Sequence, residues 1–285
     1  MGLALAAALL FAVTVNTAPL AYAAGASVLM LMSIRFGFTA VASSSLRRGK
    51  WLNNSITRRD AVLLLFASLM LAGQSFGYMA AVNFLPVSIA VILFYTFPIL
   101  TFVISSVVNG RSFKIAPFIA LGITLVGIYL LVQDGSHTWH MIGIFWAFFA
   151  AIMQAIINII SPKIAAVSGW EMVRYTSLLP AMAFLSAYLL NRESFSLGAM
   201  GWSLAAASTF CLGLYLFYRS ISIIGPVRTA NLLYFEPLFS VSLGLLVFGE
   251  RLKQAQWLGA ILIILATLAL EIQERTQSTK KSHVY

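Results

Sequence analysis

The chain has 285 residues, of which 61% are hydrophobic and 9% are charged, whereas soluble domains average about 45–50% apolar and about 25% charged residues. A water-soluble fold cannot bury so much apolar surface, but a protein in a bilayer needs polar surface only at the two rims and around an internal cavity. The net charge of +10 does not indicate nucleic acid, because Lys and Arg sit in short gaps between apolar runs and not in one basic stripe. Composition therefore predicts an all-α integral membrane protein.

Ten apolar stretches have the roughly 20 residues that a spanning helix needs. The first ends in Ala21-Tyr22-Ala23, which looks like a signal-peptidase site, but no basic residues precede its apolar run and its length is sufficient to span. We therefore predict a retained first helix, no soluble domain and a charged tail at residues 273–285. In chain order the predicted spans are residues 3–23, 27–46, 61–82, 87–108, 115–133, 140–161, 170–190, 199–219, 228–248 and 254–272.

Lys and Arg accumulate on one side of this ten-span arrangement. Short cytoplasmic loops retain basic residues, so the basic side and both termini are assigned to the cytoplasm. The outer side receives only Arg192, Arg251 and Lys253. The cytoplasmic side receives Arg47, Arg48, Lys50, Arg58, Arg59, Arg111, Lys114, Lys163, Arg219, Arg228, Arg275, Lys280 and Lys281. The expected location is the cytoplasmic (inner) membrane.

The second half of the sequence repeats the order of polar and turn residues in the first half. Two repeats, residues 1–133 and 140–272 with a connecting loop at 134–139, would each hold five spans, and the odd number inverts the second repeat in the membrane. Inverted repeats are typical of secondary transporters, in which substrate binds near the midplane between the halves. A shift of 139 residues aligns Tyr95 with Tyr234, Pro98 with Pro237, Gly110 with Gly249 and Phe118 with Trp257. Ile34-Arg35-Phe36 also matches Val173-Arg174-Tyr175 after a small change of register.

With these features the chain resembles the drug/metabolite transporter superfamily, specifically its EamA-type members, over essentially its full length. The resemblance implies alternating access and export of amino acids, related metabolites or drug-like organic compounds. Two departures are Phe11-Ala12, where many relatives carry Trp-Gly, and Asn109-Gly110-Arg111, which replaces the first Gly-Glu pair. The resemblance rests on the five-plus-five arrangement, Ile34-Arg35-Phe36, Pro86 and Pro98, Glu236-Pro237, and Gly249-Glu250-Arg251-Leu252.

Charged residues within spans are the first candidates for a transport site. Glu236 lies about two turns into the ninth span, where a carboxylate must be protonated, paired or facing water. It is predicted to couple protons or to bind a substrate ammonium group, with a structural acceptor as the alternative. Arg35 and Arg174 would bind a substrate carboxylate or phosphate, act as gates, or reach the headgroups. For Arg174 a local pair with Glu171, one turn earlier, is the favoured alternative.

Uncharged polar residues within the spans are the second set of candidates. They can donate and accept hydrogen bonds to a polar ligand, although bonds between helices are a common competing use. Pro98 and Pro237 weaken their helices and are candidates for hinges. The polar candidates are Asn16, Gln74, Tyr78, Gln154, Asn158, Asn231 and Tyr234.

Other functional classes lack their motifs in this sequence. The chain contains no P-loop, so no ATP site is predicted and transport would draw on an ion or substrate gradient. It has no HExxH motif and no nucleophile–base pattern of an intramembrane enzyme, and scattered charges do not form the rings of a channel. One cysteine, Cys211, and three histidines predict no metal site and no cofactor. The expected partners are a small-molecule substrate, lipid and protons, but not nucleic acid; the oligomeric state and the substrate stay open.

Overall fold

The computed structural model describes residues 1–46, 56–108, 119, 122–123, 126–127, 129–130, 141–160, 163–164, 167, 169–224, 229, 232–233, 235–249 and 253–282. Regular structure within these ranges is entirely helical. Six of the helices are long and apolar enough to cross a membrane. The chain is therefore a multi-pass membrane protein, as its composition predicts.

The helices of the described ranges are numbered here in chain order. The first half contains α1 (Gly2–Ala23), α2 (Val28–Ser45), α3 (Arg58–Phe84), α4 (Val87–Phe94) and α5 (Phe97–Val108). The second half contains α6 (Met141–Ile160), α7 (Trp170–Leu190), α8 (Leu197–Ile224), α9 (Phe235–Phe248) and α10 (Gln254–Ser282). The six candidate spans are α1, α2, α3, α6, α7 and α8.

Polar residues set the beginnings of two helices in the first half. The Ser27 hydroxyl accepts a hydrogen bond from the backbone N–H of Met30 at 2.9 Å and begins α2. Thr57 and Asp60 form a capping box, in which each side chain accepts a hydrogen bond from the other residue's backbone N–H. Such caps satisfy N–H groups that have no partner within the helix, so α2 begins directly after Ser27 and α3 directly after Thr57.

One predicted span differs from the observed helices because of proline. The predicted span 87–108 is divided into α4 and α5 by a turn at Tyr95 and Thr96. Pro98 has no N–H to donate to the carbonyl of residue 94, so the helix is interrupted there. In the second half, α9 begins at Phe235, with Pro237 in its first turn, where a missing N–H has no cost. In the earlier part of the predicted span 228–248, the described residues Thr229, Leu232 and Leu233 are also helical.

In the structure, one other predicted helix is longer than expected, and another is described only in part. The helix predicted to end at 272 continues to Ser282, so most of the predicted tail 273–285 extends α10. The predicted span 115–133 lies mostly outside the described residues, although the seven described positions within it are helical.

The two halves pack against each other in a reciprocal pattern. Helix α1 of the first half packs on α8, the third helix of the second half, while α6 packs on α3. The second helices of the two halves, α2 and α7, pack on each other. The buried core therefore lies between the halves and is not divided into one core for each half.

A glycine permits the close approach of α3 and α6. A Cβ atom added at Gly77 would lie 2.9 Å from Cδ1 of Phe149 and 3.0 Å from the Trp146 carbonyl oxygen. We expect Gly77→Ala to destabilise the fold by about 1–3 kcal/mol, since overpacking shifts the helices apart. Thermal unfolding in detergent measures the effect. The matched control is Gly37→Ala in α2, where a Cβ meets nothing within 4 Å; an equal fall in Tm for both variants would contradict the tight contact.

Candidate functional site

A cavity of about 110 Å³ lies between the two halves, near the middle of the long helices. Helices α1 to α5 contribute to its wall from the first half, and α6, α8 and α9 contribute from the second. Much of the wall is aromatic, with Phe11, Phe94, Phe97, Phe210 and Phe217 among its members. The polar lining consists of Thr14, Arg35, Gln74, Tyr78, Tyr95, Gln154, Tyr218 and Glu236.

Arg35 places a cation in this cavity. It lies in the middle of α2 and is only 4% exposed. Its guanidinium carbon sits 3.6 Å from the centre of the Phe210 ring, an arrangement in which the ring face attracts the cation. Nε and Nη1 of Arg35 have no hydrogen-bond partner among the described residues. The Phe210 ring therefore holds the guanidinium group in place, while Nε and Nη1 of that group make no hydrogen bond to the described residues.

Glu236 places a carboxyl group in the same cavity. It is the second residue of α9 and is 7% exposed. The Tyr95 hydroxyl, which donates to the Leu233 carbonyl at 3.1 Å, also lies beside the Glu236 carboxyl group. Within the described part of the chain, no ion pair of 4.0 Å or less joins Glu236 to Arg35. A guanidinium group and a carboxyl group thus face one cavity without direct contact with each other.

Tyr78, Gln74 and Gln154 add uncharged polar groups to the lining. The Tyr78 ring stacks on Phe94 with centroids 4.4 Å apart, and its buried hydroxyl has no hydrogen-bond partner among the described residues. Gln74 accepts a hydrogen bond from the Ser75 hydroxyl at 3.1 Å. Five of the residues singled out from the sequence therefore meet at this cavity: Arg35, Gln74, Tyr78, Gln154 and Glu236.

The remaining predicted site residues lie elsewhere or beyond the described ranges. Asn158 accepts a hydrogen bond from Gln154 at 3.0 Å and so supports the lining from behind. Arg174 is 7% exposed, with its guanidinium carbon 5.3 Å from the Tyr175 ring centre, and it does not line the cavity. Asn231 and Tyr234 lie outside the described residues. Of the hinge candidates, Pro237 is buried in the first turn of α9, and Pro98 lies in α5.

Asn16 joins α1 to α9 instead of lining the cavity. Its Nδ2 donates to the Ser240 hydroxyl at 2.9 Å and to the Ser240 carbonyl at 3.2 Å. We expect Asn16→Ala to destabilise the fold by about 1–2 kcal/mol. A double-mutant cycle with Ser240→Ala, measured by unfolding in mixed micelles, should give a coupling of about 0.6 kcal/mol. Strict additivity of the two substitutions would show that the side-chain bond contributes nothing.

Several cavity residues have no distinguishing signal in the sequence. Phe11, Phe210 and Phe217 are three among 21 phenylalanines, and apolar residues fill every span. Phe97 is the exception, because the shift of 139 residues that relates the halves aligns it with Glu236. The repeat could therefore have identified Phe97 as the first-half counterpart of the carboxylate position.

Comparison with known proteins connects this architecture to transporters. The profile of the EamA-like transporter family matches residues 1–133 and 141–271. An uncharacterised transporter of Archaeoglobus fulgidus is 27% identical over 82% of this chain and 82% of that protein. An S-adenosylmethionine uptake transporter of Rickettsia prowazekii is 23% identical over 79% of this chain and 76% of its own length. Protein RarD of Streptomyces exfoliatus is 24% identical over 84% of this chain and 78% of that protein.

The fold of this chain is also similar to that of a protein with a solved crystal structure. It aligns with a TM-score of 0.54 at 17% sequence identity and covers 96% of this chain and 98% of its own. At that identity the similarity concerns the fold alone.

Proposed function

The chain belongs to the EamA-like transporter family, and on that premise we propose that it carries a small organic molecule through the buried cavity by alternating access. The observation that carries this proposal is that both halves contribute polar side chains to the wall of the cavity. Arg35, Gln74 and Tyr78 come from the first half, whereas Gln154 and Glu236 come from the second. A binding site shared between halves near the midplane is the arrangement that secondary transporters use.

The two halves are proposed to be inverted five-span repeats at residues 1–133 and 140–272. The reciprocal packing of α1 on α8 and of α6 on α3 supports this, since a two-fold axis relating the halves would exchange these pairs. Rocking of one repeat against the other would then open the shared cavity to each side in turn.

Contacts between two loops support the proposed ten-span topology. The Ser27 hydroxyl after α1 contacts the Glu193 carboxylate after α7, and the Ser196 hydroxyl donates to the Ala24 carbonyl at 2.7 Å. Both loops therefore lie at one end of the helix bundle, as a topology of ten spans requires. The basic residues of the sequence assign this end to the outside of the cytoplasmic membrane and both termini to the inside.

The proposed cargo is an amino acid, a related metabolite or a drug-like compound, moved outward. The apolar, aromatic wall suits an organic body, and the few polar groups would orient it. The Rickettsia relatives are named for uptake, so the direction has to be measured. Proton coupling through Glu236 is proposed because a buried carboxyl group can release or take up a proton as the cavity changes sides.

Transport by purified protein in proteoliposomes tests this proposal. The panel contains labelled amino acids, S-adenosylmethionine and organic cations, each measured in both directions with and without an imposed pH gradient. Protein-dependent movement of one class supports a carrier, and acceleration by the pH gradient supports coupling. Ion-like flux that never saturates would instead indicate a channel, and the absence of any flux across the panel would contradict the proposed cargo.

A further inference from the structure

Arg35 is too deep in the structure to serve as a headgroup contact. It lies seven residues after Val28 and ten before Ser45 in α2, which places it about 10–15 Å along the helix from either end at 1.5 Å per residue. Its side chain does not extend to a rim, because the guanidinium group rests on Phe210 in the middle of α8 and lines the cavity. The charge is therefore part of the cavity itself.

The environment of Arg35 is incomplete without an anion. Phe210 covers one face of the guanidinium group, but the N–H donors lie in the plane of that group and point away from the ring. Nε and Nη1 are buried without a hydrogen-bond partner among the described residues. Unsatisfied buried donors on a cation are costly, and a carboxylate or phosphate is the planar or tetrahedral oxyanion that a guanidinium group binds best.

A second unsatisfied group faces the same space from α3. The Tyr78 hydroxyl is buried without a partner in the described part of the chain, and the stacking of its ring on Phe94 fixes its position. Tyr78 and Arg35 both line the cavity and are each 4% exposed. Two donors from neighbouring helices thus line one cavity, in which a substrate oxygen would accept hydrogen bonds.

The acidic group of the cavity is Glu236, which forms no ion pair with Arg35 within the described part of the chain. A substrate that carries only a cation would leave the Arg35 charge uncompensated, and one that carries only an anion would leave Glu236 without a cationic partner. A zwitterion satisfies both. The repeat does not supply a second such site, because Arg174, the counterpart of Arg35, lies against Tyr175 away from the cavity.

We infer that Arg35 and Tyr78 bind the oxyanion of a zwitterionic substrate whose cationic group faces Glu236, and that Phe210 is a positioning residue that holds the guanidinium plane. This inference rests on the proposed function and adds a substrate class to it. The apolar wall would accommodate the body of the molecule, so an amino acid with an aliphatic side chain is a suitable probe.

Competition within a matched chemical series tests the inference. Proteoliposomes transport the labelled compound identified in the panel, and four unlabelled competitors are added: leucine, leucinamide, 3-methylbutylamine and 1-amino-3-methylbutylphosphonic acid. The amide and the amine keep the cation and the apolar body but lack the oxyanion. We expect leucine, the phosphonate or both to compete at least about tenfold better than the amide and the amine. The stronger of the two acids identifies a carboxylate or a phosphate as the preferred oxyanion.

Variants assign this preference to the named residues. In Arg35→Gln the ratio of competition by the acids to competition by the amide and the amine should fall to about one, while competition by the amine persists. Phe210→Leu, which keeps an apolar side chain but removes the ring, should lower the preference several-fold without altering competition by the amine. Arg174→Gln is the matched control and should retain the selectivity. Arg35→Lys keeps the charge and tests the planar donors if the glutamine variant does not fold as judged by gel filtration.

The outcomes separate this inference from the proposed function. Equal competition by all four compounds, no competition by either acid, or an acid preference that survives in Arg35→Gln would overturn the oxyanion site while transport itself stands. A failure of the whole panel to move would overturn the proposed function, and with it the inference that rests on it.

Discussion

Glu236→Gln is expected to abolish the response of transport to a pH gradient while leaving exchange of substrate without a gradient measurable. Glutamine has the shape of glutamic acid and can still accept a hydrogen bond from Tyr95, but it cannot release a proton. Because the variant cannot exchange a proton, flux in the presence of the pH gradient should fall to the level that is measured without a gradient. Proteoliposome efflux with an imposed pH gradient measures it.

The control for this variant is Glu171→Gln. Glu171 lies in the first turn of α7 and does not line the cavity, so removal of its charge should leave the pH response intact. If the Glu236 variant keeps a full response to the gradient, the carboxyl group does not couple protons and has a structural or ligand-binding role instead.

A disulfide between Gly25→Cys and Ser196→Cys is expected to stop transport, with recovery on reduction. The ideal Cβ of Gly25 lies 3.6 Å from Cβ of Ser196, within the range of about 3.5–4.5 Å that disulfides adopt. The bond would join the loop after α1 to the loop after α7. If the cavity opens to this side by separation of these loops, a covalent link holds it closed and removes more than about nine-tenths of the flux.

This experiment uses a background in which Cys211, which is buried in α8, is replaced by alanine. Each single cysteine variant serves as a control, which also accounts for the strain of a side chain at Gly25, where φ is +92°. Labelling of the single cysteines in intact cells with a reagent that does not cross membranes tests the proposed outer location of both loops. Full transport by a quantitatively crosslinked protein would show that the two loops do not separate during the cycle.

Much of the helical arrangement could be predicted because it depends on local properties. The predicted spans 3–23 and 27–46 differ from α1 and α2 by one residue at most at each end, since an apolar run and the polar residues that cap it lie together in the chain. The turn at Tyr95 and Thr96 was not predicted as a division into two helices. Whether a helix continues through a proline depends on neighbouring helices that compensate for the missing hydrogen bond.

The candidate site was only partly predictable. A charged or amide side chain within an apolar run is conspicuous, so Arg35, Gln154 and Glu236 could be identified before their positions were known. The sequence distinguishes Arg174 from Arg35 only by Glu171 one turn earlier. It does not give the direction of either side chain, because that depends on the helix packed against it. Phe210 illustrates the same limit, since only the packing of α8 on α2 places that ring under the guanidinium group.

By itself the sequence determined that the chain resides in a bilayer, that it resembles the family to which it belongs, and which polar residues lie within its apolar runs. These properties follow from composition and from the spacing of residues along the chain, which need no knowledge of neighbours. The tertiary structure decided which polar residues share a cavity and which, like Asn16, bond one helix to another. That choice depends on the rotation and pairing of helices distant in sequence, because a side chain in the membrane must find its partner on whichever helix packs against it.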